Sequence, residues 1–175
     1  EPMIEEMKKR FGDAVYTTEE NVTLEESVIR LLEEKKMTVT TAESCTGGAI
    51  AARIVNVSGA SEVFLQGMVT YSNKAKRRCL DVSKSTLKKH GAVSEECAAE
   101  MAKGGRKASK TDICLSVTGI AGPGGGTKEK PVGTVFMGCS YKGCTQVREF
   151  HFQGNRARVR EQTVAHGLAS VSYTH

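Results

Sequence analysis

Tryptophan is absent from this 175-residue chain, and aromatic residues make up only 5% of it. A surface that stacks successive bases on aromatic rings is therefore not expected, which argues against nucleic acid as a partner. No apolar run approaches the roughly 18 residues that span a bilayer, and no signal-peptide core follows the N-terminus. Neither a membrane partner nor secretion is expected. The six cysteines (Cys45, Cys79, Cys97, Cys114, Cys139 and Cys144) include no C-x-x-C pair and stand beside no histidine cluster. That pattern argues against zinc and reads as reduced, mostly buried thiols of a cytoplasmic protein. No metal and no cofactor is expected.

What is present is ordinary for a globular domain. Charged residues make up 26% and hydrophobic ones 39%, and a chain of this length buries about 70% of its unfolded surface as one domain. The net charge is +5. It reads first as a solvated basic surface and second as a preference for an anionic small molecule. The basic residues are scattered, apart from Lys74, Lys76, Arg77 and Arg78.

Helical spacing of Ile4, Met7 and Phe11 predicts a short lead-in helix, closed by Gly12-Asp13. Thr23 and Glu26 form a capping-box pattern that opens a helix running to residue 36. A β-branched strand over 37–42 then runs into Glu43-Ser44-Cys45-Thr46-Gly47-Gly48, followed by a buried helix over 49–55. A second strand is predicted over 63–71. Three helices follow: 74–80 capped by Ser72 or Asn73, a brief one after Ser83 ended by His90-Gly91, and 95–109 capped by Ser94 and weakened by Gly104-Gly105. A strand over 113–118 leads to a glycine-rich loop over 119–131. A hairpin of strands 134–141 and 145–152 turns at Lys142-Gly143, and a last helix reaches about residue 172. This order predicts a three-layer α/β domain, a mixed sheet flanked by helices.

Four stretches carry chemistry-bearing residues. Ser44 lies where a strand turns into a helix, a place where free backbone N–H groups stabilise negative charge on a nucleophile. Equally, Ser44 or Thr46 is a simple helix cap there. Tyr71 and Lys76 straddle a strand-to-helix corner. No His-Asp pair is spaced to activate a serine, so a lysine of depressed pKa is the natural base, although a solvated lysine is the plainer reading. Thr118-Gly119 ends a strand and makes a ligand wall, whereas residues 124–128 read as a mobile surface loop. Arg156, at the start of the last helix, suits a phosphate or a surface ion pair.

Together the runs 41–48 (TAESCTGG), 69–76 (VTYSNKAK), 90–94 (HGAVS), 117–123 (VTGIAGP), 130–135 (KPVGTV) and 154–156 (GNR) resemble the CinA C-terminal family. Its members include nicotinamide-nucleotide amidohydrolases of the PncC type. The resemblance covers residues 24–172 and implies hydrolysis of the carboxamide of nicotinamide mononucleotide (NMN) to nicotinate mononucleotide and ammonia. It places Ser44, Tyr71 and Lys76 on the family's catalytic positions. Substrate contacts are expected from Thr46, Gly47, Gly48, Ser72, Asn73, Thr118, Gly119 and Arg156, with the oxyanion held by amides near 46–48. The resemblance also implies that residues 1–22 lead in from an upstream MoaB-like domain, with 23–175 forming the amidohydrolase domain, and a homo-oligomer is expected. A catalytically silent nucleotide-binding or assembly domain, or an amidase for another nucleotide, are the alternatives.

Overall fold

The structure is a computed structural model that describes residues 21–171; the predicted helix over 4–11 lies outside them. Helix α1 (Leu24–Lys35) opens on the expected capping box, in which the Glu26 amide donates to the Thr23 hydroxyl and Thr23 N–H donates to the Glu26 carboxylate. Strand β1 (Val39–Glu43) starts two residues later than predicted and takes in Glu43. Helix α2 (Ala49–Val55) and strand β2 (Phe64–Val69) follow. Three helices, α3 (Asn73–Leu80), α4 (Lys84–Lys89) and α5 (Glu95–Ser109), are each opened by a serine: Ser72, Ser83 and Ser94 accept an amide of the first turn. Strand β3 (Ile113–Gly119) precedes the hairpin of β4 (Thr134–Tyr141) and β5 (Cys144–His151), and α6 (Arg156–Val171) closes the described chain. Lys142 and Gly143 both take positive φ, 46° and 81°, as a two-residue hairpin turn requires.

The sheet order is β2-β1-β3-β4-β5. β1 pairs in parallel with β2 and β3, and β3-β4 and β4-β5 are antiparallel. Side chains alternate across the sheet. Val39, Ile113, Leu115 and Val117 join the core formed with α1, α2 and α6, while Ala42 and Cys114 join a second core beneath α3 and α5. Two cores on two faces make the three layers.

Gly104-Gly105 interrupts helix propensity, yet both positions are needed for close approach. A Cβ on Gly104 would lie 1.8 Å from the Leu80 carbonyl oxygen, and one on Gly105 would lie 2.5 Å from Cys114 Sγ. The pair sets how tightly α5 sits against α3 and the sheet. Among the described residues, no helix is long and apolar enough to cross a membrane.

The chain leaves β1 for β2 on one side and returns to β3 on the other. β1 is thus the switch point of the parallel part, and ligands of open α/β sheets gather at the carboxyl ends of such strands. Ser44 follows β1, Thr70 and Tyr71 follow β2, and Thr118-Gly119 ends β3.

Candidate active site

A cleft of about 200 Å³ opens at these strand ends, lined by Ser44, Cys45, Tyr71, Lys76, Ala92, Val93, Thr118, Gly119, Ala121 and Arg156. The fold therefore gathers six of the sequence-predicted site residues: Ser44, Tyr71, Lys76, Thr118, Gly119 and Arg156. Thr46, Gly47, Gly48, Ser72 and Asn73 are not among the lining residues.

Ser44 is pinned by the sheet. Its N–H donates to the Val117 carbonyl at 3.1 Å, and the Thr70 N–H donates to the Glu43 carbonyl at 2.8 Å, so the pairing of β1 with both neighbours runs up to the turn. The Ser44 hydroxyl caps nothing. Lys76 Nζ stands 2.8 Å from Ser44 Oγ, 2.7 Å from the Thr70 carbonyl oxygen and 3.5 Å from that of Tyr71. Lys76 is 1% exposed, in the first turn of α3 that Ser72 caps. Burial holds its pKa below the ordinary lysine value, and the nearby Cys97 and Cys45 thiols oppose that shift in part. No carboxylate shares its hydrogen bonds. Nζ thus donates to three oxygens, as many as an ammonium has hydrogens, while burial favours the neutral amine.

Glu43, which sequence reasoning passed over, does the capping. It is 1% exposed, and its carboxylate accepts the Thr46 hydroxyl at 2.7 Å and the amides of Gly48, Ile50 and Ala51 at 3.0, 3.1 and 2.9 Å. The available signal was a lone acid ending a buried β-branched strand. Removing this acceptor strands four donors, of which the buried Thr46 hydroxyl and Ile50 amide each cost about 1–3 kcal/mol and the part-buried Gly48 and Ala51 amides less. Glu43→Ala is expected to lower stability by at least about 3 kcal/mol in urea unfolding, with Glu43→Gln, which keeps one acceptor oxygen, losing less.

Two expectations change here. The Gly47 N–H donates to the Ser44 carbonyl and the Gly48 N–H to Glu43, so the amides expected to face an oxyanion are already occupied. Gly48 instead adopts φ 93° just before α2, with Val69 packed against the space a Cβ would fill. Tyr71 lines the cleft, but its phenol is not bonded to Lys76 or Ser44. The ring is largely exposed, and its hydroxyl accepts from Arg156 at 3.4 Å. Arg156 also donates to the Gly122 carbonyl at 2.8 Å, so the pair bridges the cleft rim. Ser72 caps α3, and Asn73 is its exposed first residue.

Thr118 donates its hydroxyl to the Ala92 carbonyl at 2.7 Å, and Lys130 Nζ donates to the carbonyls of His90 and Val93 at 2.9 and 2.6 Å. The loop wall at 91–93 is thus tied to β3 and to the glycine-rich loop. Burial pushes the Cys45 thiol up to about 11, which keeps it protonated near neutral pH and a poor rival to Ser44. Among the described residues, no three His, Cys, Asp or Glu side chains converge as metal ligands.

The comparisons with known proteins bear on the family and the fold. The family model described as CinA C-terminal domain matches residues 21–174. A Clostridium perfringens (strain SM101 / Type A) relative, whose name describes it as competence-damage inducible, is 56% identical over 167 residues, 95% of this chain and 40% of its own. The chain thus spans about 40% of the length of the curated relatives it matches. A solved structure described as competence/damage inducible protein CihA from Agrobacterium tumefaciens superposes with a TM-score of 0.83 at 40% identity, covering 85% of this chain and 92% of that one. Competence damage-inducible protein A from Klebsiella pneumoniae subsp. pneumoniae MGH 78578 gives 0.84 at 38% identity, covering 86% and 94%. With the family match and the fold match falling on the same five-stranded domain, the chain belongs to the CinA C-terminal domain family.

Proposed function

We propose that the cleft is the active site of a serine amidohydrolase that converts the carboxamide of NMN to the carboxylate of nicotinate mononucleotide, releasing ammonia. The observation that carries the hydrolase reading is the 2.8 Å contact between Ser44 Oγ and a lysine amine buried without an acidic partner. The choice of substrate rests on the resemblance of the chain to nicotinamide-nucleotide amidohydrolases.

In this reading Lys76, as the neutral amine, accepts the Ser44 hydroxyl proton while Oγ bonds to the carboxamide carbon. The tetrahedral adduct collapses with cleavage of its C–N bond, and the Lys76 ammonium returns the proton to the departing nitrogen, which leaves as ammonia. Water then attacks the acyl-enzyme. Lys76 takes the water proton and passes it back to Ser44 Oγ as the ester C–O bond breaks. The carbonyls of Thr70 and Tyr71 hold the amine hydrogens throughout and aim its lone pair at Ser44.

The cleft is small for a whole nucleotide. It suits the flat carboxamide-bearing ring, with ribose along Thr118-Gly119 and the phosphate at the rim on Arg156, whose guanidinium exchanges the Tyr71 hydroxyl for phosphate oxygens. Tyr71 then covers the mouth. The six free thiols suit the reducing cytoplasm.

The test is a product assay with the purified chain. NMN is expected to give ammonia and nicotinate mononucleotide in equal amounts, faster than nicotinamide or the phosphate-free riboside. Binding of NMN without turnover would instead make the domain a nucleotide-binding module.

A further inference from the structure

Arg160 lies one helical turn beyond Arg156, yet it is not among the residues lining the cleft. Half-buried on α6, it reaches back to the nucleophile turn and donates from Nε to the Cys45 carbonyl at 3.1 Å and from its terminal nitrogen to the Thr46 carbonyl at 2.7 Å. Gly47, at φ 62°, packs against it: a Cβ there would meet the guanidinium at 3.7 Å, an ordinary contact.

The hydrogen bonds of the turn account for nearly every polar group. The amides of Ser44, Gly47, Gly48, Ala49, Ile50 and Ala51 are donated to Val117, Ser44, Glu43, Thr46, Glu43 and Glu43 respectively. The carbonyls of Glu43, Ser44, Cys45 and Thr46 are all accepted upon. Among the described residues, the amides of Cys45 and Thr46 are the turn's two N–H groups with no oxygen partner, the Cys45 N–H facing its own thiol. In a planar trans peptide the N–H points opposite to the C=O. The guanidinium on the Cys45 carbonyl therefore turns the Thr46 N–H away from α6. The Gly47 N–H on the Ser44 carbonyl likewise turns the Cys45 N–H away from Gly47.

We infer that Arg160 is a positioning residue. By fixing the Cys45–Thr46 peptide it aims the Thr46 amide, beside the Cys45 amide that the Gly47–Ser44 bond orients, as donors for the oxyanion formed on the substrate carbon attached to Ser44. The inference rests on the hydrolase reading above. It drops Gly47 and Gly48, keeps Thr46 and adds Cys45, the residue after the nucleophile, whose amide is one of the two donors in a nucleophile elbow.

Steady-state kinetics of Arg160→Ala and Arg160→Lys, on NMN and on nicotinamide riboside, test it. Loss of an aligned oxyanion donor is expected to lower kcat about 100-fold, with KM little changed and with the same fold-loss on the phosphate-free substrate. Added ethylguanidine should recover part of the Arg160→Ala rate, because it can refill the two carbonyl contacts. NMN should bind Ser44→Ala and Ser44→Ala/Arg160→Ala equally in calorimetry. A rise in KM with kcat kept, or a loss that vanishes on the riboside, would make Arg160 a phosphate ligand and overturn the inference. Unchanged kinetics would overturn it too. If Arg160→Ala does not fold, Arg160→Lys, which keeps the charge but not the paired donors, carries the same comparison. Full activity in Ser44→Ala would sink the hydrolase reading itself and is scored separately.

Discussion

Ser44→Ala is expected to reduce ammonia release from NMN to background, a fall of roughly 10⁶-fold where a serine is the sole nucleophile. The same substitution should leave the melting temperature almost unchanged. Ser44 Oγ caps no helix and receives only the Lys76 contact, while the turn is held by main-chain bonds to Val117 and by the Glu43 carboxylate. Calorimetry should find NMN still bound, since the phosphate and ribose contacts proposed above lie elsewhere in the cleft. Turnover within tenfold of wild type would remove Ser44 from the chemistry. The adjacent Cys45 could not readily replace it, with a thiol pushed up to about 11 by burial.

Lys76→Met carries the second large effect. Methionine fills much of the same buried space without a titrating group, and loss of a general base is expected to cost roughly 10²–10⁴-fold in kcat. The wild-type rate should rise with pH through a pKa below 10.5, because burial lowers that of Lys76 and the neutral amine is the active form. In Lys76→Met that rising limb should be lost, and Lys76→Arg should be inactive at every pH tested. Stability gives an independent readout. With its pKa lower in the folded than in the unfolded chain, the lysine binds more protons when unfolded between those two values, so wild-type stability gains as pH rises through that window. The melting temperature of wild type relative to Lys76→Met should therefore increase as pH rises through the lowered folded-state pKa toward 10.5. A flat difference would mean that Lys76 is not destabilised as an ammonium in the fold.

Much of this architecture is legible in local sequence signals. The Thr23–Glu26 capping box, the serines before α3, α4 and α5, and Lys142-Gly143 between alternating strands each mark an element by short-range chemistry, and each is found within a residue or two of its expected place. Ser44, Lys76 and Thr118 are legible because strand ends of a parallel sheet converge.

Glu43 and Arg160 are harder to see, for physical reasons. Capping signatures place the acceptor next to the helix, whereas Glu43 belongs to a strand and reaches amides five to eight residues ahead. Arg160 acts on carbonyl oxygens 114 and 115 residues away, and main-chain oxygens leave no mark in a sequence. Gly47-Gly48 misleads in the opposite sense. Two glycines beside a nucleophile suggest amides open to a ligand, but here they serve the backbone path, with φ of 62° and 93°, and their N–H groups are already used. Tyr71 shows the same limit: its neighbours in sequence fix the corner, while its phenol meets Arg156 from the far end of the chain.

Delegating the cap of α2 to Glu43 separates folding from chemistry at neighbouring positions. Residue 43 answers to stability, and residue 44 does not. On the proposed reading, a descendant that exchanged Ser44 for alanine or glycine would lose the reaction in one step, while its core and its cleft persisted, with no folding defect for selection to remove. The converse change is as short: a non-hydrolytic domain of this architecture that retains the buried lysine stands one serine away from an esterase or amidase. Among domains sharing this sheet, the identity of residue 44 should therefore vary with activity far more freely than that of residue 43.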